Sequence, residues 1–185
     1  KNNTLYQLSK KFNLFYIEHK SYIGGRYSVL SEVGIVPAYL MGINIFKLRK
    51  NLKRYLIGKD KNYLKDSVTK ISNILLSRKL SNIVFLNYSS NLNKFLFWCQ
   101  QLIAESLGKK GYGFFPVISK VPKDHHSLLQ LYLDGPRDKL FYIFSSKEKS
   151  SPKINSKKFT NHLNYINNKN LDQIKTAQKK ALISN

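Results

Sequence analysis

A chain of 185 residues that is 42% hydrophobic can bury a real core, which excludes a disordered protein. The charge-free stretch from Val33 to Phe46 carries Gly34, Pro37 and Gly42 and is too short to span a bilayer, so a soluble protein without a membrane partner is expected. The formal charge of +22 would on its own point to nucleic acid or an anionic surface. The lysines are scattered, however, and come with an excess of Asn, Ile, Tyr and Phe, the pattern of a codon bias rather than a binding stripe; no nucleic-acid partner is expected. The single cysteine, Cys99, can form no internal disulfide and has no metal-ligand spacing with the four histidines. It fits a reducing cytoplasm and reads as a small core residue on a helix. No secretory leader opens the chain and no initiating Met is present, so the start reads as a truncation.

In chain order, residues 4 to 11 read as the tail of a helix and Leu14 to Ile17 as a short strand, after which Gly24-Gly25 breaks regular structure. Helical spacing runs from Ile35 to about Ile57 with an interruption near Gly42. Within it the basic run from Lys47 to Arg54 reads as the solvated face of a helix that buries Phe46, Leu48, Leu52 and Leu56. A helix fits Tyr63 to Lys79. Ile83 to Leu86 is a short apolar run suited to a strand buried on both faces. Ser89 or Ser90 can cap the next helix, which runs to about Ser106 and is closed by Gly108. A strand over Phe115 to Ile118, a helix over Ser127 to Leu133 and a strand over Leu140 to Phe144 follow. This alternation predicts an α/β sandwich with a mostly parallel sheet and a ligand site at the strand carboxyl ends. Residues 147 to 168 read as a polar loop or insertion, and Leu171 to Leu182 as a helix.

Three blocks carry chemistry. In Ile23-Gly24-Gly25-Arg26-Tyr27-Ser28, the glycines let backbone approach a ligand, and the guanidinium is a permanent cation suited to a phosphate or a developing oxyanion. A glycine turn followed by a surface arginine is also common without any ligand. In Trp98 to Ser106, Gln101 and Glu105 are one helical turn apart and share a face. Glu105 falls in the last turn, where the helix dipole disfavours an anion and should raise its pKa, as suits a general base. A solvated glutamate beside Lys109 and Lys110 fits the same spacing. In Asp124-His125-His126-Ser127, Asp124 can cap a helix whose first turn holds both histidines, where the dipole favours neutral imidazole. Surface histidines in a loop are the competing reading, and no zinc motif accompanies them.

Together these blocks are recognisable. The runs SYIGGRYSVLSEVG, WCQQLIAESLGKKGYGFFPV and DHHSLLQLYLDGP resemble signature segments of the glucose-6-phosphate isomerase family, in the family's order, and the resemblance extends over most of residues 5 to 145. Glu32 departs from the family pattern, which more often has a small residue there, at a position outside the expected site. The resemblance implies a three-layer αβα sandwich of the Rossmann-like sugar-isomerase (SIS) type, with residues 1-146 forming part of the second such domain. Residues 147-185 would be a polar loop and helix ending before the family's C-terminal lysine motif.

The same resemblance implies reversible conversion of glucose 6-phosphate to fructose 6-phosphate through a cis-enediol, in glycolysis and gluconeogenesis, with no cofactor and no metal. Glu105 would be the base, His126 the ring-opening histidine, Arg26 the enediolate stabiliser, and Gln101 and Gly25 substrate contacts; His125 inherits no role. The partners implied are a sugar phosphate and, in the full-length protein, a second copy, since in family homodimers the histidine serves the neighbouring subunit's site. The family's Ser-Lys-Thr phosphate loop is not found, so the chain reads as a fragment with little or no activity alone. A non-catalytic sugar-phosphate-binding SIS module is the alternative, though it would keep the phosphate loop and lose the proton-transfer groups.

Overall fold

The computed structural model describes residues 3–146, 152–156 and 161–184, and the chain divides into two compact units, Lys1–Thr69 and Lys70–Asn185. In the first, α1 (Thr4–Lys11) is capped by Asn3, whose side chain accepts from the Tyr6 N–H. The expected strand over Leu14 to Ile17 does not form: with no neighbouring strand to receive their backbone groups, these residues run as irregular chain. Gly24 opens a 3₁₀ turn, Gly25–Leu30, which leads into α2 (Glu32–Leu40). An added Cβ on Gly34 would lie 2.1 Å from the Val29 carbonyl oxygen, so only glycine lets α2 fold back on that turn.

Gly42, at φ +78°, ends the helical stretch as its position suggests. The single basic helix expected beyond it is instead two one-turn pieces, α3 (Ile45–Arg49) and α4 (Leu52–Leu56). Its expected buried face is not buried, since Phe46 is 91% exposed and Leu56 59%. Asn44 caps α3 by accepting from the Lys47 N–H, and the helix breaks between Arg49 and Leu52, where α4 begins after Asn51 without a side-chain cap.

Helix α5 (Lys61–Ser77) leads to the sheet of the second unit, which the sequence pattern anticipates most closely. Strands β1 (Asn82–Asn87), β2 (Phe115–Lys120) and β3 (Lys139–Phe144) form a fully parallel sheet in the order β2-β1-β3. Parallel pairing requires crossovers, and α6 (Asn93–Leu107), α7 (His125–Asp134) and, after β3, α8 (Leu171–Ser184) surround the sheet. Alternate residues of β1 point to opposite layers. Ile83 and Phe85 pack with Leu96 and Phe114 on the side that α5 supplies with Ile71, Ile74 and Leu75; Val84 and Leu86 pack with Val121, Tyr132 and Leu182 on the other. The three-layer αβα sandwich is thus present in the second unit. Among the described residues no helix is long and apolar enough to cross a membrane, and no three His, Cys, Asp or Glu side chains come together as metal ligands.

Neither expected serine nor Asp124 caps its helix. Asn87 makes the turn out of β1 instead: its amide donates to Asn93 Oδ1 at 2.8 Å and its oxygen accepts from the Ser89 N–H at 3.0 Å. Ser90–Leu92 forms a 3₁₀ turn before α6, while the Ser89 hydroxyl bonds Ser146 across the strand ends. The Asp124 carboxylate turns back to accept from the Lys120 N–H at 2.7 Å. Beside it the Tyr88 hydroxyl lies 3.2 Å from His125 Nε2. Burial holds the Tyr88 phenol above its usual range and His125 below its own, the latter against an upward pull from Asp124. A neutral ring that accepts at Nε2 from the Tyr88 O–H fits both shifts.

Two expectations follow. Leu96 is fully buried between α6 and the sheet, so Leu96→Ala should destabilise the chain by about 2–5 kcal/mol in urea denaturation, and a smaller loss would mean the site collapses around the gap. For His125 the folded pKa is depressed. The stability tied to its neutral ring is therefore complete above the ordinary value of 6.5 and is lost as pH falls from there through the folded value. Melting temperature should drop across that window, and His125→Gln should flatten the drop; an unaltered slope would exclude His125 as its source.

Candidate active site

The helix that carries the proposed base is positioned by what it buries. Leu96, Cys99 and Ile103 face the sheet, and Gln100 donates from Nε2 to the Pro116 carbonyl at 2.8 Å, tying α6 to the start of β2. Residues 101 and 105 consequently face outward. There Gln101 Nε2 donates to Glu105 Oε1 at 2.8 Å, so the amide and the carboxylate that sequence spacing placed on one face are in direct contact. A carboxylate oxygen that accepts from a neutral donor is oriented by it and still has a lone pair with which to take up a proton.

The end of α6 is set by Gly108, where an added Cβ would come within 2.6 Å of the Ala104 carbonyl oxygen. Beyond it Lys110 and Gly111, at φ +54° and +76°, make a tight turn closed by the Lys109–Tyr112 bridge. Arg78, just after α5, stacks its guanidinium 4.6 Å from the Tyr112 ring centre and anchors that turn beside the last turn of α6.

His126 is on the first turn of α7, next to His125. The topology separates it from Glu105. Helix α6 leaves the carboxyl end of β1 and returns to the amino end of β2, and Glu105 sits roughly 18 Å along its axis at 1.5 Å per residue. His126 follows the carboxyl end of β2, at the opposite edge of the same sheet. The alternation of strands and helices points to the carboxyl edge alone, yet Gln101 and Glu105 lie toward the amino edge, because a crossover helix delivers its last turn there. A crevice of about 210 Å³ does open at the carboxyl edge between Asn87, Asn93, Lys120 and Lys175, and it contains none of the candidate residues.

The remaining candidates lie in the first unit. Gly25 begins the 3₁₀ turn with ordinary negative φ, and a Cβ there would meet nothing within 4 Å. Neither backbone strain nor packing within the chain demands glycine at 25. Arg26 is half-buried, with its guanidinium carbon 4.7 Å from the Tyr27 ring centre, and the buried Ser28 hydroxyl donates to the Gly25 carbonyl at 2.6 Å.

Sequence reading missed two residues of this loop. His19 places Nδ1 3.1 Å from Glu32 Oε1 and Nε2 2.9 Å from the Ile23 carbonyl, and the Lys20 N–H also reaches Glu32 Oε1 at 3.1 Å. The Glu32 carboxyl is held below its usual range, first by its own backbone N–H at the start of α2, then by that of Lys20 and by His19, all against burial, which pushes the other way. Glu32, read as lying outside the site, is thus joined to the residue that precedes Gly24. Thirteen positions separate the partners, so no local periodicity signals them.

No family model matches the chain. It is 39% identical over 142 residues to a probable glucose-6-phosphate isomerase of Methanococcus maripaludis, covering 74% of this chain and 32% of that protein. To the glucose-6-phosphate isomerase of Campylobacter jejuni it is 36% identical over 162 residues, covering 84% and 40%. To a probable glucose-6-phosphate isomerase of Haloquadratum walsbyi it is 32% identical over 183 residues, covering 97% and 42%. The crystal structure of a hypothetical protein from Thermus thermophilus superposes with a TM-score of 0.77 at 28% identity, covering 98% of this chain and 46% of that one. The chain thus spans 32–42% of the length of these curated relatives. With 32–39% identity sustained over 74–97% of the chain in these relatives, the chain belongs to the glucose-6-phosphate isomerase family.

Proposed function

We propose that the protein of which this chain is a part interconverts glucose 6-phosphate and fructose 6-phosphate, the reaction in the relatives' names. The observation that carries the reading is the 2.8 Å contact between Gln101 and Glu105, an oriented carboxylate within the segment that resembles the family's catalytic one. Glu105 takes the C2 hydrogen of the open-chain aldose as a proton. The electron pair left behind forms the C1–C2 double bond, and the C1 carbonyl oxygen becomes an enediolate oxygen. The same carboxyl returns the proton to C1 while the C2 hydroxyl proton passes to the C1 oxygen, leaving the C2 ketone and a C1 hydroxyl. No net oxidation occurs, so the electrons never leave the sugar.

Arg26 is the cation for the enediolate, and Gly25, with open space where a side chain would stand, allows a substrate to approach the backbone. Gln101 fixes one carboxylate oxygen of Glu105 and contacts substrate. His126 opens the sugar ring, and its place at the far sheet edge from Glu105 supports service to the site of a second copy in a homodimer. On this reading residues 1-146 are part of a second sugar-isomerase (SIS) domain, 147-185 are a loop and helix following it, and the enzyme works in cytoplasmic glycolysis.

In the full-length protein, Glu105→Gln should slow fructose 6-phosphate formation by about a hundredfold or more with substrate binding largely kept, as for loss of a general base. A coupled spectrophotometric assay measures it, and a variant as fast as the parent would remove Glu105 from the mechanism.

A further inference from the structure

We propose that His19 and Glu32 form a clamp that fixes the Gly24-Gly25-Arg26 loop, making both of them positioning residues for Arg26. This inference rests on the isomerase reading only for its catalytic consequence; the clamp itself is a matter of loop structure.

Both atoms facing the His19 ring are oxygens that can only accept: a carboxylate oxygen at Nδ1 and the Ile23 carbonyl at Nε2. A neutral imidazole has one N–H and can satisfy one of them, so the pair of contacts is complete only when the ring carries two protons. In that form the cation also lies against the Glu32 carboxylate, and both bonds are charge-assisted. The titratable groups at the clamp are His19 and Glu32 themselves, while Lys20 contributes its backbone N–H.

The two contacts close a loop. Ile23 is the residue before Gly24, where the 3₁₀ turn begins, and Glu32 is the first residue of α2, where the segment ends. Tying both to one imidazole fixes the entry and the exit of the Gly25–Leu30 turn, with Arg26 between them. The Lys20–Ile23 turn, with the Ile23 N–H on the Lys20 carbonyl at 3.0 Å, and the Ser28-to-Gly25 bond hold the interior. Side-chain exposure of 34% for His19 and 26% for Glu32 leaves the bridge partly shielded, enough to keep its geometry while remaining open to exchange with solvent.

The test uses the full-length protein and two readouts. Amide hydrogen exchange, followed by mass spectrometry on peptides spanning residues 19–32, should quicken by about tenfold in His19→Ala and in Glu32→Ala, with the double variant no faster than either. Unchanged exchange, or additive effects in the double variant, would overturn the clamp. In the isomerase assay both variants should lower kcat by about tenfold with little change in KM, because a misplaced guanidinium is felt where enediolate charge develops. Glu32→Gln, which keeps an acceptor oxygen, should restore most of the rate, and in an Arg26→Ala background His19→Ala should have no further effect. A Glu32→Gln enzyme as slow as Glu32→Ala, or a full further loss without Arg26, would overturn the positioning role. A parent enzyme with no isomerase activity would instead remove the isomerase reading and the catalytic consequence with it, while the exchange result still decides the clamp.

Discussion

Burial of β1 on both faces governs the second unit of this chain. Ile83, Val84, Phe85 and Leu86 are each less than 5% exposed, and no antiparallel hairpin could bury such a run so completely from both sides. A central strand of this kind requires a helix layer on each side, and parallel neighbours can be joined only by crossovers that traverse the sheet. The direction of every helix is then fixed. Residues near the end of α6 must lie toward the strand amino ends and those at the start of α7 near the carboxyl ends. The separation of Glu105 from His126 is therefore a consequence of the sheet, and no side-chain rearrangement could abolish it.

That logic explains what could be read from sequence and what could not. The β1 run, the helical spacing from Ile71 to Leu75 and the Gly108 stop all reflect one strong constraint, apolar burial against a sheet, and each appeared where its pattern placed it. The Gln101–Glu105 contact was legible for the same reason, since an i, i+4 pair on an exposed helix face needs only the helix to exist. Errors fell where the deciding contact was either very local or remote. The basic helix broke at Lys50 and Asn51, where apolar spacing alone would have continued it. Neither Ser89 nor Ser90 caps α6 with its side chain, and the turn out of β1 is held instead by Asn87, whose amide donates to Asn93 and accepts from the Ser89 N–H. Leu14 to Ile17 had the composition of a strand but no strand beside it, and β propensity cannot supply the missing hydrogen-bond partner.

The basic composition belongs to the same account. Most of the 32 lysines and arginines stand outside any ion pair between described side chains, because only 10 acidic residues exist to meet them. Where a carboxylate does occur at a structurally specific place, it is engaged: Asp138 by Lys139, Asp60 by Arg54, Glu32 by His19 and Glu105 by Gln101. In a chain with such an excess of cations, screening by salt limits the reach of long-range attraction to about 8 Å at physiological ionic strength. Specificity must then come from hydrogen-bond geometry rather than from charge.

Glu105 and Glu32 illustrate the difference. Glu105 accepts from the Gln101 amide one turn away, a contact that orients one oxygen of its carboxylate. Glu32 has an imidazole and two backbone N–H groups, which together hold it as an anion below the ordinary carboxylate range and tie it to the glycine loop. The first contact follows from helix periodicity, the second from a loop that brings residues thirteen positions apart together. On the proposed isomerase reading, a loop that presents a fixed cation to a transient negative charge needs anchors of the second kind.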